Sequence, residues 1–412
     1  MTDSVDFDAA LIRRYDKSGP RYTSYPTAVQ FHDGFGEEDY RQWVVLSNGE
    51  PIPRPLSLYF HLPFCDTVCY YCACNKIATK DRGKAQPYLD HVYREMAMLG
   101  ELFDGDRLVD QLHWGGGTPT FISHQQMREL MRETGRHFKL RDDDSGEYSI
   151  EIDPREADAE TIAVLRELGF NRMSLGVQDF DTRVQRAVNR MQSVEETMTV
   201  MEAALAEGFK SISVDLIYGL PFQSVKSFER TLDVVAEADP DRISLFNYAH
   251  LPDIFKPQRR ISEADLPAPA EKLAILERSI ARLTDAGYVY IGMDHFAKPE
   301  DELAIAQREG TLHRNFQGYS THAECDLVAL GVSSISMVGD SYSQNVKTLD
   351  DYYQRIGAGH LAVLRGVDLE PDDLLRRGVI MELICHFRLD FQPFEKEYGI
   401  RFQDYFRSEL AD

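Results

Sequence analysis

The sequence predicts an α/β fold whose parallel strands curve into a barrel. Three observations carry this. Short β-branched or aromatic runs alternate with amphipathic stretches at βα-unit spacing. Glycine stands just past most of the amphipathic stretches, as the stop of a helix does. Polar residues able to do chemistry close nearly every strand. In a barrel all strand C-termini converge on one mouth. In an open sheet they are strung along an edge, with one or two at the switch point. Such residues at all seven strand ends favour the barrel.

Ser57–His61 opens the series and runs into a cysteine-rich loop. The helix after it carries Leu89, Val92, Tyr93, Met96 and Leu99 on one face. Gln111–Trp114 ends in Gly115-Gly116-Gly117-Thr118. Ser123 then caps a helix with Met127, Leu130, Met131 and Phe138 inward. Tyr148–Asp153 carries Glu151 and Asp153, and its helix (Ile162, Leu165, Leu168) stops at Gly169. Met173–Val177 leads to Gln178 and to a helix with Met198, Met201, Ala204 and Leu205 before Gly208. Ser211–Ile217 carries Asp215, and Phe228, Leu232 and Val235 follow before Pro240. Ile243–Asn247 precedes Leu273, Leu276, Ile280 and Leu283, which stop at Gly287. Tyr288–Met293 is the seventh strand, closed by Asp294-His295. Two regions stand outside the repeat. One is residues 1–49, with the run Ser18–Thr27. The other begins near residue 300, with the loop-like Leu312–Thr321 and a helical tail from about 370.

The chain has 412 residues, 43% of them hydrophobic, enough for a large core. Lys plus Arg is 45 against 68 Asp plus Glu, a net charge of −23. Nucleic-acid binding needs a basic face, so no nucleic-acid partner is expected. Apolar runs are only strand-length, so no membrane span is expected. The polar N-terminus is no secretory signal, and the cytosol is the expected compartment.

Four cysteines lie in HLPFCDTVCYYCAC: Cys65, Cys69, Cys72 and Cys74. Zinc sites usually pair C-x2-C with a second distant pair, and none exists here. Three thiolates would leave one iron of a [4Fe–4S] cube open, since full ligation takes four. Cys74 could instead complete a four-cysteine cluster or a small zinc site. At the other strand ends, the glycine run suits either close approach to a charged ligand or a tight βα turn. It is neither a dinucleotide fingerprint nor a Walker loop. Glu151 suits a ribose hydroxyl pair or a buried salt bridge. Gln178, Arg190 and Asp215 are expected on or near strand ends away from the glycine loop, as a separate second site would require. Arg190 and Arg259-Arg260 are candidate carboxylate anchors or plain surface residues. His61, His113, His250 and His295 are not at metal-ligand spacing and read either as residues that support a site from behind or as packing residues. Cys325 and Cys385 read as ordinary buried cysteines.

C-x3-C-x-(aromatic)-C resembles the signature of the radical S-adenosylmethionine (SAM) enzymes. GPRYTSYPT, HLPFCDTVCYYCACNKI, QLHWGGGTPT, SIEIDPRE, GFNRMSLGVQDF, DLIYGLP, FNYAHLP, IGMDHFAKPEDELAIAQREG and LHRNFQGY together resemble the oxygen-independent coproporphyrinogen III oxidases, in order from about residue 13 to 390. The resemblance implies a partial (β/α)6 TIM-type barrel. It implies an N-terminal arm (1–49) closing over the active site, a catalytic barrel with its extension (50–360) and a partial helical C-terminal domain (361–412). The family usually continues beyond FRSELAD, so that last domain is expected to be incomplete. The resemblance makes Cys65, Cys69 and Cys72 the ligands of a [4Fe–4S] cluster, with Cys74 an extra cysteine. It makes Tyr59, Tyr71, Gly116, Gly117, Thr118 and Glu151 SAM contacts, with Ile335 at the first SAM. Gln178, Arg190, Asp215 and Ala249 become binders of a second SAM. Arg21 and Tyr22 in the arm are candidate substrate contacts. The implied reaction decarboxylates two propionates of coproporphyrinogen III to vinyl groups by way of a 5′-deoxyadenosyl radical. It needs an electron donor and a final acceptor, both unidentified, and a monomer is expected. The related haem-binding chaperones are the alternative. They usually lack the GPRYTSYPT arm and the cysteine at position 74.

Overall fold

The computed structural model describes residues 7–15, 24–322 and 324–411. Arg21 and Tyr22 lie outside the described residues. The elements that position the site are α1 (Glu37–Asn48), β1 (Leu56–Leu62), α2 (Ala85–Gly100), β2 (Leu108–Gly116), α3 (His124–His137), β3 (Glu147–Ile152), α4 (Ala159–Glu167), β4 (Arg172–Gln178), α5 (Val194–Ala206), β5 (Ser211–Tyr218), α6 (Val225–Ala238), β6 (Arg242–Asn247), α7 (Pro269–Asp285), β7 (Val289–Gly292), β8 (His295–Ala297), β9 (Asp326–Leu330), β10 (Ile335–Val338), β11 (Ser341–Asn345), α8 (Leu349–Gly357), β12 (Val363–Asp368) and α9 (Pro371–His386).

Strands β1 to β6 pair in sequence order, all parallel. Each crossover carries a helix, and capping boxes at Ser123, Ser193 and Ser224 start α3, α5 and α6. Alternation along the strands sorts the side chains. Leu58, Phe60, Leu112, Trp114, Ile150, Leu175, Val214 and Leu245 join Val92, Met96, Leu130, Ile162, Leu165 and Leu232 of the helices in one core. Each such buried aliphatic side chain stabilises the fold by about 1.5–3 kcal/mol. The intervening residues Tyr59, His113, Glu151, Ser174 and Asp215 face cavities inside the barrel.

The sheet is not closed: β9 to β12 continue it beyond β1, and β8 then β7 continue it beyond β6. The seventh predicted strand therefore needs correction. β7 does not add parallel to β6, because β8 lies between them, antiparallel to both. Positive φ at Gly292, Met293 and Asp294 makes the reversal. The turn residues carry no Asn-Gly or Asp-Gly signal from which a hairpin is read. Leu312–Thr321, read as a loop, contains a hairpin pairing His313–Asn315 with Gly318–Ser320.

The sheet also runs past residue 360, since β12 pairs with β11. The described part of the N-terminal region lies along this extension. His32 bridges Gly366, and Phe31 stacks on Tyr342. The buried Arg107–Asp326 ion pair, 2.6 Å, also holds Ser47 and Asn48 of α1. No helix among the described residues is long and apolar enough to cross a membrane.

Candidate active site

The cysteine loop leaves β1 through Pro63 and is pinned at both ends. Phe64–Cys65 pairs with Ile77–Ala78, and the Ile77 amide donates to the Pro63 carbonyl at 2.7 Å. The middle of the loop is held from across the barrel. The Tyr70 amide donates to Val188, the Asn189 side chain to Val68, and the Gln258 side chain to Tyr71. These bonds place Cys65, Cys69, Cys72 and Cys74 around one cavity of about 320 Å³. The Thr118 hydroxyl lies 3.7 Å from Cys65 Sγ. Arg190 Nη1 and Arg155 Nη2 lie 3.6 and 3.9 Å from Cys69 Sγ. Burial pushes the Cys65 thiol up to about 11. Hydrogen bonding from Cys74, with Lys76 adding to it, brings Cys72 down to about 6.

The glycine run closes the floor. A Cβ on Gly117 would sit 2.6 Å from the Phe64 carbonyl oxygen. At Gly116, with φ +114°, it would sit 2.7 Å from the His61 ring. The Gly117 and Thr118 amides donate to Leu62 and Phe64, and the Gly116 amide to Glu151 Oε2 at 3.1 Å. These glycines thus clamp the cysteine loop onto β2, and Gly116, Gly117 and Thr118 still line the cavity.

Glu151, Asp153, Gln178, Arg190 and Asp215 complete the wall. Far from occupying a separate region, Gln178, Arg190 and Asp215 share this cavity with the glycine loop. Parallel strands bring their ends together. Arg190 is no surface residue. It is buried, donates to Asp153 Oδ2 at 2.8 Å and to the Gly176 carbonyl, and leaves Nε without a partner. Burial raises the Asp153 carboxyl, but Arg190 and Arg155 outweigh it and hold the group below its ordinary value. Asp215 accepts from Ser174 Oγ at 2.7 Å, and burial pushes it up to about 6. Gln178 has φ +68°, a strained conformation at the end of β4.

Glu151 also lines a second cavity of about 250 Å³ with Tyr59, His61, His113, Phe316, Gln317, Ser333, Ser334 and Ile335. His113 lies 3.4 Å from Glu151 and stacks on Tyr59. Burial raises the Glu151 carboxyl, yet His113 and the Gly116 amide leave it lowered. Tyr71 lines the first cavity, and Ala249, just past β6, lines neither.

His61, His250 and His295 bond to Asn75, Tyr248 and Met293, and none of these histidines touches a cysteine thiol. Arg259 and Arg260 lie outside both cavities; Arg260 reaches only Tyr70. Cys385 is buried, and so is Cys325, near His322 and an Asp110 already paired with Arg141. Sequence reading missed Arg155, three residues past the end of β3, and Lys76, whose ammonium donates to the Cys72 carbonyl at 3.0 Å. Both lie inside quoted motifs, SIEIDPRE and HLPFCDTVCYYCACNKI, which is the signal that could have found them.

Comparison with known proteins agrees with this geometry. The model of the radical SAM superfamily matches residues 59–235. An oxygen-independent coproporphyrinogen III oxidase of Pseudomonas aeruginosa is 58% identical over 412 residues, covering 100% of this chain and 89% of the relative. Its counterpart in Escherichia coli is 53% identical, over 98% of this chain and 87% of the relative. The solved E. coli coproporphyrinogen III oxidase, described as a radical SAM enzyme, superimposes with a TM-score of 0.93 at 51% identity. That match covers 99% of this chain and 91% of the other.

Proposed function

The chain belongs to the oxygen-independent coproporphyrinogen III oxidases of the radical SAM superfamily, and we propose how its own residues divide the work of that reaction. It is an oxidoreductase of haem biosynthesis that converts coproporphyrinogen III to protoporphyrinogen IX, with a [4Fe–4S] cluster and SAM as cofactors. The observation that carries the assignment of roles is the convergence of Cys65, Cys69 and Cys72, Arg190, Glu151 and Asp215 on one cavity at the barrel mouth.

The donor set fits the cluster. Three soft thiols face one cavity, with guanidinium groups near Cys69 to balance thiolate charge. Cys65, Cys69 and Cys72 are the ligands, and Cys74, on the same cavity, hydrogen-bonds Cys72. The bound cluster supplies the electron that cleaves SAM reductively, and so supplies hydrogen-atom abstraction.

The protein's part is positioning and exclusion of water. Glu151, at the junction of the two cavities, accepts polar groups of one SAM, beside Tyr59 and Ile335. Tyr71, Gly116, Gly117 and Thr118 line the same approach. Gln178, Arg190 and Asp215 hold a second SAM, with Ala249 at its edge. Two SAM molecules match two propionates. Each propionate loses one hydrogen atom from its β-carbon, one electron and CO2, and becomes a vinyl group. The electron passes to an acceptor, and a separate donor reduces the cluster. Arg21 and Tyr22 of the N-terminal arm (1–49) are assigned as substrate contacts. The barrel and its extension (50–360, with β12 carrying the sheet on to Asp368) do the chemistry, and the helices from Pro371 pack beside them. The enzyme works as a cytoplasmic monomer.

Anaerobic reconstitution with iron and sulfide, followed by coproporphyrinogen III, SAM and a chemical reductant, tests the assignment. The expected products are harderoporphyrinogen and then protoporphyrinogen IX, with one CO2 per vinyl group. Tight haem binding with no CO2 released would overturn it.

A further inference from the structure

Outside the lip of the Glu151 cavity stand two cations that answer no carboxylate. Arg365, in the middle of β12, is half-buried. Its Nε and Nη2 both donate to one neutral acceptor, Gln344 Oε1, at 3.0 and 2.8 Å. Lys347, two residues past β11, is exposed. Neither forms an ion pair among the described residues, in a chain with 68 acidic residues to 45 basic ones. The two lie in each other's field: burial and then Arg365 lower the Lys347 ammonium below its ordinary value. Two neighbouring cations without a counter-ion are unfavourable unless an anion joins them.

Both are tied to the cavity wall. The Gln344 side-chain amide donates to the Ser333 carbonyl at 3.2 Å, and Ser333 lines the cavity. The Lys347 carbonyl accepts from Asn75 at 3.1 Å, and the Asn75 carbonyl bonds His61 Nε2 at 2.9 Å, another lining residue. One half-buried ring, Phe316, links the cavity to Arg365 by way of the buried Phe31. The Arg365 guanidinium sits 5.7 Å from the Phe31 ring centroid. Phe31 meets Phe316 edge-on at 6.2 Å, and Phe316 meets Tyr342 at 5.2 Å. Phe316 also lines the cavity.

A half-exposed aromatic ring on the cavity wall, with a cation pair tied to the same wall, fits a flat macrocycle bearing carboxylates. Two of the substrate's four propionates react, and two persist into product. The retained pair needs fixed partners away from the reacting edge. Resting on the proposed function, we propose that Arg365 and Lys347 bind the retained propionates of the porphyrinogen, with the macrocycle lying against Phe316. Arg365 offers a planar fork to one carboxylate and Lys347 a point charge to the other.

The test uses the reconstituted enzyme with K347Q, R365Q and R365K. Affinity is read by fluorescence quenching with coproporphyrin III and with protoporphyrin IX, which keeps only the retained pair. K347Q and R365Q should weaken both porphyrins about ten- to hundredfold, as loss of a charge-assisted contact implies. KM for coproporphyrinogen III should rise by a similar factor, with kcat changed far less. Cluster absorbance and SAM stoichiometry should not move. R365K should recover part of the affinity. K347Q alters an exposed side chain, so it reports even if the R365Q protein folds poorly. Unchanged affinity and KM in K347Q and R365Q would overturn the proposal, as would weakening confined to coproporphyrin III. These results differ from failure of the proposed function, in which the wild-type enzyme itself would make no protoporphyrinogen IX.

Discussion

Asp153→Asn removes the carboxylate that separates two guanidinium groups beside Cys69. In the wild type Asp153 receives Arg155 at 2.6 Å and Arg190 at 2.8 Å, with side-chain exposures of 9%, 17% and 7% for Asp153, Arg155 and Arg190. Removing one partner of a buried pair costs about 3–5 kcal/mol, because the remaining charge has lost its counter-ion. Arg155 keeps some contact with water, so about 3 kcal/mol is expected for the cluster-free protein. With a urea slope of about 3 kcal/mol/M, that moves the unfolding midpoint by about 1 M. Cluster thiolates bring negative charge within 3.6–3.9 Å of both guanidinium groups, so the loss should be smaller in the reconstituted enzyme. The pH dependence has a definite sign. The folded-state carboxyl lies below its ordinary value, so its contribution is present above the unfolded value near 3.9. It disappears as the pH falls through the folded value. The gap between variant and wild type should therefore be level from about pH 5 to 8 and close in stronger acid. Urea titrations of both forms measure all of this. Equal midpoints in the cluster-free proteins, or a larger loss in the loaded one, would refute the counter-ion reasoning.

Four further outcomes follow from the same site. Replacing Cys65, Cys69 or Cys72 by Ser should abolish the visible iron–sulfur absorbance, whereas Cys74→Ser should keep most of it; equal loss from Cys74→Ser would mean four protein ligands. Equilibrium dialysis of the anaerobic enzyme should find two SAM per chain, and Arg190→Ala should bring this towards one with the iron content retained. Glu151→Gln should weaken SAM binding about tenfold, the scale of one charge-assisted hydrogen bond. Because the Glu151 carboxyl is lowered, that deficit should be constant between about pH 5 and 8, and a deficit that vanishes within this range would count against its role. Gly116→Ala should destabilise the protein by about 1–3 kcal/mol, since the new methyl meets the His61 ring in a left-handed backbone; a urea midpoint equal to wild type would contradict the clamp.

The family was legible before any coordinates, because long motifs such as HLPFCDTVCYYCAC and LHRNFQGY recur in order. Six parallel strands were legible too, since each is a short apolar, β-branched or aromatic run followed by an amphipathic helix, most of which stop at glycine or proline. The seventh was misjudged because Val289–Gly292 has strand composition, and composition does not say which neighbour a strand pairs with. That pairing was decided by the reversal at Gly292–Asp294, whose left-handed backbone no standard turn dipeptide announces. Arg190 shows the same limit. In sequence it is one arginine among many; in space it is buried against Asp153 and Cys69.

What the sequence determined alone is the chemistry available: clustered thiols, acids and amides at strand ends, and a pattern that sends alternate side chains inward. Strand alternation and helix periodicity are local, and a local pattern is readable from neighbours along the chain. What the tertiary structure decided is which groups meet. It merged the glycine loop with Gln178, Arg190 and Asp215 in one cavity, and left Arg365 and Lys347 together without a counter-ion. It also gave the three glycines their reason in the Phe64 and His61 contacts. Those meetings depend on distances between residues tens to hundreds of positions apart. Only the parallel pairing and curvature of the sheet set such distances.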